Sequence, residues 1–98
     1  MSEPTRVLIV EDDPSQLQTL SGILSGEGFA VRTCSTAYDA LLAVAEQEFV
    51  AAVIDLRLPD QQGTELIEQV RAVNDRVRVI IYTGYGSFGS AKKAVNKK

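Results

Sequence analysis

The chain alternates between short apolar runs and longer stretches in which apolar residues recur at helical spacing. Residues 6–10 (RVLIV), 50–54 (VAAVI) and 77–82 (VRVIIY) are nearly continuous in hydrophobic character and rich in β-branched side chains. That pattern belongs to strands covered on both faces, as in a parallel sheet, rather than to strands with one wet face. A fourth run, residues 29–34 (FAVRTC), is interrupted by polar residues and suits an edge. Between the runs, Leu17, Leu20 and Leu24 form one helical stripe; Ala37, Leu41, Val44 and Ala45 form another, and Leu66, Ile67, Val70 and Val73 a third. The predicted order is β-α-β-α-β-α-β, with a further helical start near Ser90.

The polar punctuation agrees. Asp13, Pro14 and Gln16 have the pattern of an N-cap, a first-turn proline and a reciprocal third-position partner. Gly26 and Gly28 can end that helix, Ser35 is placed to cap the second, and Gly63 and Thr64 with Glu65 behind them can open the third. Strands and helices that alternate with short connections imply a parallel sheet with right-handed crossovers. In such sheets ligands bind at the carboxyl ends of the strands, where strand order reverses.

Composition narrows the picture. Ninety-eight residues, 45% of them apolar, make one small domain, in which folding hides roughly 65% of the unfolded surface. No apolar stretch approaches a membrane span, and the start lacks the regions of a signal peptide, so a cytoplasmic protein without membrane contact is expected. The net charge of −3 argues against a surface that tracks nucleic acid, and the lysines Lys92, Lys93, Lys97 and Lys98 suit a solvated helix end. The single cysteine, Cys34, has no disulfide partner and fits a small buried hydrophobe. There is no histidine, so the usual neutral-pH base is missing and any chemistry must run on carboxylates, hydroxyls and backbone.

The strands end in chemistry. Glu11, Asp12 and Asp13 follow the first, Asp55 the third, and Thr83 the fourth, so the architecture collects them at one edge of the sheet. Asp13 is best spent as a helix cap. Glu11, Asp12 and Asp55 would repel one another and raise one another's pKa unless a cation joined them, and an oxygen-only pocket favours Mg²⁺ or a similar hard ion. Asp55, where an apolar strand stops, can act as a nucleophile toward phosphorus, with Thr83 donating to a phosphoryl oxygen. The competing reading is that the acids only cap helices and Thr83 only ends a strand.

Residues 7–14 (VLIVEDDP), residues 53–60 (VIDLRLPD) with Gly63, and residues 79–86 (VIIYTGYG) resemble the receiver domain of bacterial two-component response regulators. The wording around Asp55 and Thr83 is closest to the redox-responsive RegA/PrrA type. The resemblance implies a flavodoxin-like, doubly wound α/β sheet and a single receiver domain over residues 1–98. It implies that Asp55 accepts a phosphoryl group from a sensor histidine kinase in a Mg²⁺-dependent reaction. Asp12 and Asp55 would bind the metal, joined by the backbone carbonyl of Arg57 and, through water, by Glu11. Thr83 would be the switch hydroxyl, and Gly84 would leave access to the phosphoryl group. Arg57 and Tyr85 occupy positions where bulk shields the acyl phosphate, so slow self-dephosphorylation is expected; the domain is a phosphoacceptor rather than an enzyme acting on others.

The family also has a lysine followed by proline at the end of a fifth strand, and then a last helix; residues 96–98 (NKK) precede any such strand. The resemblance therefore implies a receiver incomplete at its C-terminus, with residues 77–82 as an exposed apolar edge open to pairing with a second copy of the chain. A shortened receiver acting as a phosphate-independent interaction or dimerisation module is the alternative. Two further classes fit poorly. Residues 84–89 (GYGSFG) match a dinucleotide-binding glycine pattern, but the acid that pattern needs about 20 residues later has no room. A dehalogenase-like phosphatase would need a second acid where Arg57 stands. No effector segment is present to assign DNA binding.

Overall fold

A computed structural model of the protein describes residues 5–82. The described elements are β1 (Arg6–Val10), α1 (Pro14–Gly26), β2 (Ala30–Cys34), α2 (Ala37–Glu46), β3 (Ala51–Asp55), α3 (Gly63–Val73) and β4 (Arg78–Tyr82). The strands form one parallel sheet in the order β2-β1-β3-β4. The sequence-based order of elements matches, with strand starts shifted by a residue at β2, β3 and β4. The expected helix near Ser90 and the residues from Thr83 onward lie outside the described part.

Strand order fixes where the helices and the site lie. From β1 the chain steps to one side to form β2, then crosses back over β1 to form β3 and continues outward to β4. Right-handed crossovers therefore put α1 on one face and α2 with α3 on the other, and the direction reverses between β1 and β3. β1, flanked by strands and sandwiched by helices, buries Val7, Leu8, Ile9 and Val10. Leu8, Val10, Ala52 and Ile54 meet Ala40, Val44, Leu66 and Val70 in the main core, on the face that carries α2 and α3.

The other surfaces are less covered than the apolar pattern suggests. No residue of α1 is fully buried, and Leu17, Leu20 and Leu24 are half-buried, because among the described residues no other helix packs beside α1 on its face of β1 and β2. On α2 and α3, Ala45 and Val73 face solvent, while Ala40 and Ala43 join the core. β4 is not covered on both faces: among the described residues it pairs only with β3, and Ile80 and Ile81 are half exposed.

Local chemistry sets the helix ends. Asp13 caps α1 by accepting the Ser15 N–H (3.0 Å), and Pro14 follows at the first helical position. The expected reciprocal partner differs, since the Asp13 N–H donates to Glu11 Oε2 while Gln16 Nε2 reaches Asp13 Oδ2. At the other end Gly28, at φ +99°, turns the chain so that its N–H meets the Ser25 carbonyl. Thr36, not Ser35, caps α2, because its Oγ1 lies 3.1 Å from the Asp39 N–H.

Gly63 opens α3 under a tight constraint. A Cβ there would lie 2.5 Å from the Asp55 carbonyl oxygen and 2.9 Å from the Leu56 Cα, both backbone atoms that cannot swing aside. Gly63→Ala is expected to destabilise the protein by about 2–3 kcal/mol, read as a lower urea midpoint with an unchanged m-value; an unchanged midpoint would show that the loop has room to relax.

Candidate functional site

β1 and β3 are neighbours in register, Val10 opposite Ile54, so the residues that follow them emerge side by side at the reversal point of the sheet. There Glu11 and Asp55 are both fully buried, and Asp12 beside them is exposed. One carboxylate oxygen from each of the three lies within 4.8 Å of the others. Glu11 Oε2 accepts the Asp13 N–H at 3.0 Å, and Asp55 Oδ1 accepts the Arg57 N–H at 3.3 Å. The second oxygens, Glu11 Oε1 and Asp55 Oδ2, are buried with no hydrogen-bond partner.

Two buried carboxylates with orphaned oxygens cannot both stay charged at little cost. Burial is the main force that pushes the Glu11 carboxyl up from 4.5 to about 7; the Asp13 N–H opposes it, and the charges of Asp55 and Asp12 add to it. Asp55 is also raised, again chiefly by burial, with the Arg57 N–H pulling the other way. The pair therefore holds a proton near neutral pH or takes up a cation, and the donor set, all oxygen and mostly carboxylate, fits a hard divalent ion. The orphaned Glu11 and Asp55 oxygens are the structural sign of that fit.

Of the sequence-based site residues, Glu11, Asp12 and Asp55 come together as expected, and Asp13 is spent on α1. Arg57 lies two residues beyond Asp55, its N–H on the Asp55 carboxylate and its side chain exposed. Thr83, Gly84, Tyr85, Lys92 and Lys93 lie outside the described residues. Cys34 is buried, and burial pushes its thiol up from 9.0, so it behaves as the small hydrophobe expected.

One arrangement was not foreseen. The segment between β3 and α3 closes on itself through the Gly63 N–H to the Leu56 carbonyl (2.8 Å) and an antiparallel bridge between Arg57 and Gln62. From this loop Asp60 reaches the start of α2, accepting the Ala37 N–H with Oδ1 (2.9 Å) and the Tyr38 N–H with Oδ2 (3.0 Å). The Ala37 N–H is the chief influence holding the Asp60 carboxyl below 3.8. An acid after Pro59 is visible in the sequence, but its partners are more than twenty residues away and no local pattern names them.

A sequence model of the family described as response regulator receiver domain matches residues 7–98. The chain belongs to this receiver family. The receiver is 37% identical over 89 residues to the acid tolerance regulatory protein ActR of Rhizobium meliloti (strain 1021), covering 91% of this chain and 46% of ActR. The chain thus spans less than half the length of that relative. Among solved structures it resembles a CheY-like receiver domain protein from Methanospirillum hungatei JF-1, at TM-score 0.81 and 34% identity over 96% of this chain and 75% of the other. It also resembles a response regulator from Burkholderia pseudomallei solved with a phosphorylated aspartic acid, a calcium ion and citrate. That match has TM-score 0.78 and 28% identity, over 94% of this chain and 54% of the other. Among the described residues of the receiver, no helix is long and apolar enough to cross a membrane.

The acid pocket makes stability depend on pH in a direction opposite to that of an ion-paired carboxylate. Folded Glu11 titrates at about 7 against 4.5 for its ordinary value, so the folded state holds the extra proton between those values. Without a divalent cation, stability is greatest below 4.5 as far as this group is concerned. It is then lost as pH rises through about 7, by at most about 3 kcal/mol. Urea titrations across that window are expected to show the fall in the wild type and a flatter profile in Glu11→Gln. Equal slopes in the two proteins would contradict the assignment.

Proposed function

We propose that the protein is the phosphoacceptor module of a two-component pathway in the cytoplasm, a single domain in which Asp55 takes a phosphoryl group from a sensor histidine kinase. The observation that carries this reading is the buried Glu11–Asp55 pair with its orphaned oxygens, set beside Asp12 at the reversal point of the sheet. Asp12, Asp55 and the Arg57 carbonyl would hold Mg²⁺, with Glu11 acting through water, and the ion supplies the positive charge that lets carboxylates and phosphoryl oxygens share the pocket.

The chain's own contribution is positioning. The Arg57 N–H fixes the Asp55 carboxylate through Oδ1 and leaves Oδ2 free of protein donors, so Oδ2 is the attacking atom. It forms a bond to phosphorus as the bond from phosphorus to the donor's imidazole nitrogen breaks; that nitrogen keeps the electron pair and takes a proton from solvent. Burial around Asp55 keeps bulk water from the nucleophile. Thr83 is the hydroxyl assigned to the transferred group, which makes it the switch, and the bulk of Arg57 and Tyr85 slows loss of the group to water.

A second reading, an interaction module that works without phosphate, is favoured by β4, which among the described residues pairs only with β3 and leaves Ile80 and Ile81 half exposed. A second copy of the chain would dock there. Incubation with Mg²⁺ and acetyl phosphate, followed by intact mass, separates the readings. We expect a gain of one phosphoryl group that both Asp55→Asn and chelation of Mg²⁺ abolish. No gain in folded wild-type protein would overturn the phosphoacceptor reading and leave the module.

A further inference from the structure

The loop that follows Asp55 is fixed at both ends. At its base, the Arg57 N–H meets Asp55 Oδ1, the Gly63 N–H meets the Leu56 carbonyl, and Arg57 bridges to Gln62. At its tip, the Asp60 carboxylate forks across the N–H groups of Ala37 and Tyr38, the first two residues of α2. The third residue of that helix, Asp39, already gives its N–H to the Thr36 side chain. All three donors of the first turn are thus taken, one by a local cap and two by a carboxylate from the loop.

At the exposed Tyr38 a local cap and water would satisfy the helix start without a distant partner; at the buried Ala37 a protein acceptor is needed, and the carboxylate that supplies it comes from the loop. Asp60 is itself exposed; its bond to the buried Ala37 satisfies a covered donor, while its bond to the exposed Tyr38 replaces one that water could supply. What the fork adds is a restraint on the loop, in two directions and with charge-assisted bonds, against an element that belongs to the main core through Ala37, Ala40 and Val44. The segment so held carries Arg57, whose N–H orients the Asp55 carboxylate.

We propose that Asp60 is a positioning residue for the acid pocket, anchoring the loop after Asp55 to the start of α2 so that the Arg57 backbone keeps its place beside Asp55. The inference rests on the phosphoacceptor reading for its consequence, and on geometry alone for the anchor. Anchoring lowers the cost of ordering the loop when a cation or a phosphoryl group enters.

The test compares Asp60→Ala and Asp60→Asn with Thr36→Ala, each in the full chain. Thr36→Ala removes a cap from the same helix without touching the loop, so it reports the cost of a weakened α2 alone. Amide hydrogen exchange in the metal-free proteins is expected to speed up about tenfold at Arg57 and Gly63 in Asp60→Ala. The same variant should bind Mg²⁺ about tenfold more weakly by calorimetry. Thr36→Ala should leave both unchanged, its effect confined to the first turn of α2. Asp60→Asn, which keeps one acceptor oxygen, should fall between, and it is the variant to read if Asp60→Ala does not fold. Matching changes in the Asp60 and Thr36 variants, or loop exchange that Asp60 substitution leaves untouched, would overturn the proposal. If wild-type protein binds no Mg²⁺ and takes no phosphoryl group, the phosphoacceptor reading fails, while the exchange comparison still decides the anchor.

Discussion

The structure turns on two carboxylates, Glu11 and Asp55, buried next to each other with one oxygen each left without a partner. In water such groups repel weakly; in a dry pocket each also loses its hydration, so the pair resists carrying two charges. Folding puts them there regardless, because the burial of Val10 and Ile54 in adjacent, in-register strands brings the next residues together. The fold thus creates a local deficit of positive charge that a proton or a cation relieves. That deficit is the source of the pocket's chemistry, and it makes the state of the site responsive to what occupies it.

The surroundings limit how the pocket can relax. Asp13, which would otherwise be a fourth charge in the cluster, is committed to capping α1, and its N–H steadies Glu11 at the same time. On the other side, Gly63 lets the chain pass so close to the Asp55 carbonyl that the loop cannot swell away from the site. Asp60 fastens the far end of that loop to α2, whose Ala37, Ala40 and Ala43 pack in the main core. The acids are therefore held by elements whose own positions are set by hydrophobic packing, which is how a small domain maintains an electrostatically unfavourable arrangement.

Much of this was legible in the sequence because it depends on local pattern. β1 reads as a buried strand from its run of aliphatic residues, and the acids at its end and at the end of β3 follow from the rule that parallel strands gather their carboxyl termini. The extent of burial was less legible. α1 shows a leucine stripe as regular as any, yet buries none of it fully, because periodicity records which face a helix turns inward and not how many neighbours cover that face. β4 has the composition of a central strand, and its place at the edge of the described sheet was expected from the family resemblance and not from its own pattern, since strand order is a long-range property. The sequence pattern pointed to Ser35 as the α2 cap, one residue early, because two adjacent hydroxyls look alike in sequence and backbone geometry selects Thr36. The Asp60 fork was invisible because both of its partners are backbone groups far away in sequence.

The most direct test of the central claim is the number of protons released when Mg²⁺ binds, obtained by calorimetry in buffers of differing ionisation enthalpy. If the buried pair exchanges a proton for a cation, close to one proton should leave per Mg²⁺ at about pH 6, falling toward none by about pH 9. Binding that releases no protons at any pH in that range would contradict the account, because it would mean that Glu11 and Asp55 already share the pocket fully charged.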